Sequence, residues 1–173
     1  KNNKNNKQQI TKKYKIKKQD DVRTLAGNTK ADWEKLIKAD KLEIPATIHG
    51  KAKADKIKTY AAILENNFKK KFPTTAFSSR LKKDKKSLFE EKETITAFFD
   101  SNPDFDLQND RIENFIKSKA KKSASKDKLA PTGQLRRIQR MFKLSPTYES
   151  TNALLSKGIH SSQQIYAMGK DRF

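Results

Sequence analysis

At 173 residues the chain has room for one ordinary domain or two small ones. Forty Lys plus Arg oppose twenty Asp plus Glu, a net charge of +20, and there is no Cys. Disulfides and thiolate metal sites are therefore excluded, and no apolar stretch is long enough to span a bilayer as a helix.

Mean hydropathy is −0.98, so the core must come from a few large side chains. Ten Phe, four Tyr and one Trp can supply it, since each buried aromatic removes roughly 150–250 Å² from water. Five Gly and five Pro are few for an all-β domain. Nothing resembles a signal peptide. Lys1 and Phe173 read as the ends of a segment cut from a larger protein.

Residues 1–19 carry eight Lys and no acid, with Ile10, Tyr14 and Ile16 as their large apolar residues. Such a stretch reads as a basic arm or linker, disordered when alone. A helix then starts near Thr29, where Thr29-Lys30-Ala31-Asp32 has the capping-box shape. Trp33, Leu36 and Ile37 share its apolar face, and Pro45 and Gly50 end the unit. Ile57, Tyr60, Ala61, Leu64 and Phe68 fall at helical spacing and predict the next helix, closed by Phe72-Pro73.

Thr74 or Thr75 can open another helix bearing Phe77 and Leu81; Leu88, Ile95 and Phe99 mark one more. The segment Asp100–Asp110 breaks the pattern, and Asn109 or Asp110 can cap a helix with Ile112, Phe115 and Ile116. Residues 117–133 hold almost no large apolar residue and read as a Lys-rich linker between modules. Leu135, Ile138 and Phe142 then form a stripe. Ser145-Pro146 reads as a cap, Gly158 as a stop, and Ser161 with Gln164 as a second capping box before Ile165 and Met168.

The expectation is an all-α fold, an irregular bundle of about seven or eight helices with a basic N-terminal arm. The modules would be 20–116 and 134–173. The core would hold Trp33, Leu36, Ile57, Tyr60, Leu64, Phe68, Phe72, Phe77, Phe99, Phe115, Leu135, Ile138 and Phe142.

No catalytic constellation stands out. His49 and His160 are isolated and read as loop or cap residues. Oxygens at Asp100, Asn102, Asp104 and Asp106 start like a calcium loop, but Phe105 and Arg111 stand where that loop needs Gly and a bidentate Glu. No phosphate-cradling Gly-rich loop or nucleophile elbow occurs. No cofactor or metal is expected, and the chain is read as not an enzyme.

The charge suggests an anionic partner, although Lys placed on every solvated face by a biased genome would look the same. The basic candidates are Lys12, Lys13, Lys15, Lys17 and Lys18 in the arm, then Lys69, Lys70, Lys71, Arg136, Arg137 and Arg140. Seven Arg against thirty-three Lys argue against base-specific readout, which uses the Arg fork.

Three segments carry a family likeness. The first pairs "xIPxxIxG" at 43–50 with "YAxxLxxxFxxxFPTxAFxxRL" from Tyr60 to Leu81. The second is "FDLxxxxIxxFI" from Phe105 to Ile116. The third is "LxxxQRxFxLxPxYExxxxLLxxGIxSxxxIxxMGxxxF" from Leu135 to Phe173. In this order they resemble the helical N-terminal half of Tc insecticidal toxin A components and the related bacterial virulence-plasmid A (neuraminidase-like domain) proteins. The resemblance covers about residues 22–173. It implies a helical structural module of a large bacterial toxin-like protein, cargo or component of a toxin-delivery or contractile injection system. Such a module would be made in the bacterial cytoplasm, then exported or delivered. Its partners would be other modules of the same chain or an acidic protein surface. The alternative from charge alone is a helical domain that binds nucleic acid non-specifically.

Overall fold

In the computed structural model, the described residues are 10, 19–85, 87, 89, 91–120 and 132–171. Among them are eight α-helices, a 3-10 segment (Gln19–Gly27) and no strand. The helices are α1 (Lys30–Ala39), α2 (Lys53–Lys71), α3 (Pro73–Lys83), α4 (Lys92–Ser101), α5 (Ile112–Ala120), α6 (Thr132–Leu144), α7 (Tyr148–Ser156) and α8 (Ser162–Met168). The fold is all-α. No helix among the described residues is long and apolar enough to cross a membrane.

Local chemistry sets most helix ends. Thr29 caps α1: its hydroxyl accepts from the Asp32 N–H at 3.1 Å, and the Asp32 carboxylate accepts from the Thr29 N–H at 2.9 Å. Ser161 and Gln164 repeat this reciprocal box at α8. The α7 end is a Schellman turn. The Ile159 N–H donates to the Leu154 carbonyl and the Gly158 N–H to that of Leu155, both at 3.0 Å. Gly158 supplies the left-handed residue, with φ of 72°.

Three boundaries differ from the sequence expectation. Pro73, not Thr74 or Thr75, opens α3; its missing N–H costs nothing at a first helical position. Asp110 does not cap α5. Its carboxylate accepts from the Asp106 N–H at 2.7 Å, while the Arg111 carbonyl takes the first helical bond, from the Phe115 N–H. At α7 the cap is Thr147, whose hydroxyl accepts from the Ser150 N–H at 3.1 Å, rather than Ser145.

The chain divides into two compact units, Lys1–Ala76 and Phe77–Phe173, so the division falls inside α3. The expected modules were 20–116 and 134–173; the compact units divide the chain at a different place. The flanks of the expected linker are helical, in α5 to Ala120 and α6 from Thr132, and Gly133 sits inside α6. Residues 121–131 lie outside the described residues. Phe77, Leu81, Ile95, Phe99, Leu107 and Ile112 share one core with Leu135, Ile138 and Phe142. A stretch without apolar residues does not by itself mark a module boundary; the packing of apolar faces decides that.

The first unit packs around Trp33, which is fully buried and stacks on Phe68 with ring centroids 5.2 Å apart. Leu25, Leu36, Ile37, Leu42, Ile57 and Ala61 complete its core. Tyr60, Leu64 and Phe68, expected as core, line its half-exposed margin, as do Ile10 and Val22. The second unit is centred on Phe77. Edge-on rings of Phe142 at 5.5 Å, Tyr148 at 5.4 Å, Phe99 at 6.1 Å and Phe89 at 6.5 Å surround it. Phe98, Phe105 and Phe115 form a second ring cluster, with Phe115 half-buried.

Phe72 departs from the core expectation. It belongs to neither cluster, caps α2, and lies half-buried beneath the Lys71 ammonium, 5.5 Å from its ring. Leu88 and the side chain of Ile116 lie outside what the structure describes.

Candidate functional site

The basic candidates do not converge on one face. Lys12, Lys13, Lys15, Lys17 and Lys18, with most of the expected arm, lie outside the described residues. In the first unit, Lys69 is bound to Glu65 one helical turn earlier, at 3.1 Å. Lys70 and Lys71 are exposed, and Lys71 is spent over Phe72.

In the second unit, α6 presents Arg136, Arg137 and Arg140. Arg136 Nε donates to Glu113 Oε1 at 2.7 Å, tying α6 to the first turn of α5. The Glu113 backbone amide and then that guanidinium hold the Glu113 carboxyl below the usual carboxylate range. Arg140 Nε donates to the His160 carbonyl at 3.0 Å, fastening α6 to the loop before α8. Arg137 is exposed. Two of these three arginines therefore do internal structural work.

Other polar residues of the third segment behave alike. Gln139 donates through Nε2 to the carbonyls of Leu107 at 3.0 Å and Asp110 at 2.8 Å. It thus clamps the connector that carries Phe105, Asp106 and Leu107. Tyr148 is buried, and its hydroxyl donates to Asp84 Oδ2 at 2.6 Å. Burial, reinforced by that carboxylate, pushes the phenol well above its ordinary range. Lys92 Nζ donates to the Asp84 carbonyl at 2.6 Å, and Arg80 faces Glu149 at 3.8 Å. Spacing offered no signal for this Asp84–Tyr148 link, because its partners are 64 residues apart.

The aspartates of the broken segment are likewise committed. Asp106 accepts from the Gln108 N–H at 2.8 Å and from Asn109 Nδ2 at 2.7 Å, and Asp100 pairs with Lys82. Among the described residues, no group of three or more His, Asp or Glu is arranged to hold a metal. His49 is exposed in a loop. His160 is half-buried and donates its backbone N–H to Gln164 Oε1 at 2.6 Å. No protein-family model, curated protein or solved structure matches this chain.

Proposed function

We propose that the chain is a non-catalytic helical assembly module of a large bacterial toxin-like protein, cargo or component of a toxin-delivery or contractile injection system. The observation that carries this reading is where the residues of the third segment go. Gln139, Arg140 and Glu149 are spent on contacts within the second unit. Leu135, Phe142, Tyr148 and Ile159 fill its core. Among the residues that the segment leaves exposed, three are large and apolar: Leu144 at 48%, Tyr166 at 90% and Met168 at 36% exposure. Apolar positions that a unit does not bury suit packing against a neighbouring module.

The test is co-purification of the chain with the polypeptide that flanks it in its parent protein. Leu144→Asp combined with Met168→Asp should leave helical circular dichroism unchanged and abolish co-purification. Unchanged co-purification would sink the reading. The partners are then other modules of the same chain or an acidic protein surface, with synthesis in the bacterial cytoplasm before export or delivery.

The net charge of +20 supports a second reading, non-specific nucleic-acid binding. Titration with duplex DNA at several salt concentrations separates the two. A logarithmic salt slope of about −0.9 per phosphate contacted, over several phosphates, would favour it. No retention at low salt would eliminate it.

A further inference from the structure

The first unit contains an open groove of about 530 Å³, lined by Lys41, Leu42, Glu43, Ile44, Gly50, Lys51, Ala52, Lys53 and Lys56. Two backbone features build it. Lys41 sits in the left-handed region, with φ of 47°, as the residue after the α1 cap. The Leu42 N–H returns to the Ile37 carbonyl at 3.1 Å, a Schellman closure in which Gly is the usual occupant of the Lys41 position. Gly50 lies so close to the first turn of α2 that a Cβ there would come 2.8 Å from the Lys56 backbone nitrogen. The close approach brings the loop after α1 against the start of α2 and gathers four lysines and one glutamate around the groove.

We infer that this groove is a docking site for an acidic peptide segment in which carboxylates alternate with apolar residues. The inference rests on the assembly reading and names the surface and partner chemistry of that assembly. Four ammonium groups against one carboxylate favour an anion. The apolar part of the lining, Leu42, Ile44 and Ala52, gives alternate side chains a floor. The lining has no aromatic ring for base stacking and no Arg fork for phosphate, and it includes Glu43. These features favour a peptide over a nucleic acid. The α2 N-terminus is not the attraction, because the Asp55 carboxylate already accepts from the Ala52 N–H at 3.2 Å. A lysine held where glycine is less strained is the second sign that the side chain at 41 is used.

The experiment is fluorescence anisotropy of a labelled synthetic peptide of alternating Glu and Leu, titrated with the 173-residue chain. Lys53→Glu with Lys56→Glu should weaken binding about tenfold, as expected for lost charge pairs at an interface. The exposed controls Lys70→Glu and Lys143→Glu should change it little. Lys41→Gly should raise the melting temperature and still weaken binding, a combination that a merely structural lysine does not give. Equal losses at groove and control sites, or no peptide binding at low salt, overturn the inference. So does tighter binding of a single-stranded oligonucleotide of equal charge that the groove substitutions abolish. Loss of the groove result with co-purification intact would remove the docking site and leave the module reading standing.

Discussion

Trp33 shows how much one residue can carry. It is fully buried and stacked on Phe68, so Trp33→Ala should cost about 3–5 kcal/mol in urea unfolding followed by circular dichroism. Tyr148 gives a sharper test because its phenol is both buried and hydrogen-bonded to Asp84. Tyr148→Phe should lose about 1 kcal/mol at neutral pH. The folded phenol titrates above its ordinary value of 10.0. Its contribution is therefore fully present below pH 10 and is lost as the pH rises above that, because the unfolded chain gives up the proton first. Unfolding free energy measured against alkaline pH should fall less steeply in Tyr148→Phe than in the parent. Phe72 marks the limit of spacing arguments: its helical register with Phe68 suggests burial, yet a cap residue turns away from the stripe it ends.

The helix ends at Thr29, Gly158 and Ser161 were legible, because capping is decided by residues only a few positions apart. Thr29→Ala removes a reciprocal box and should destabilise by about 1 kcal/mol, read as a lower urea midpoint. Thr147 was missed because Ser145-Pro146 offers the same chemistry two residues earlier. The two-residue shift lets Tyr148 begin the helix and reach Phe77 at 5.4 Å. Competing local signals of equal strength are resolved by which register buries the larger side chain.

At the scale of the whole molecule, each unit has its own core, and Trp33, the sole Trp, belongs to the first. Phe142 is fully buried in the second. Phe142→Ala should therefore cost about 3–5 kcal/mol there, lowering the circular-dichroism midpoint while the Trp33 fluorescence transition stays in place. A common shift of both signals would mean that the two cores unfold together.

From sequence alone, the all-α class, the principal helices and most aromatic anchors could be read, because helical spacing and capping are local properties of the chain. Tertiary structure decided the rest. It joined Phe77, Ile95, Phe99 and Ile112 to α6 and α7 in one core, although a Lys-rich segment separates them in sequence. It turned Arg136 and Arg140 from candidate binding groups into internal fasteners, alongside Gln139. It also gathered Lys41, Lys51, Lys53 and Lys56 around one groove. A charge run reports how much charge is present, whereas the backbone path, fixed by a left-handed Lys41 and a close Gly50, determines which charges meet.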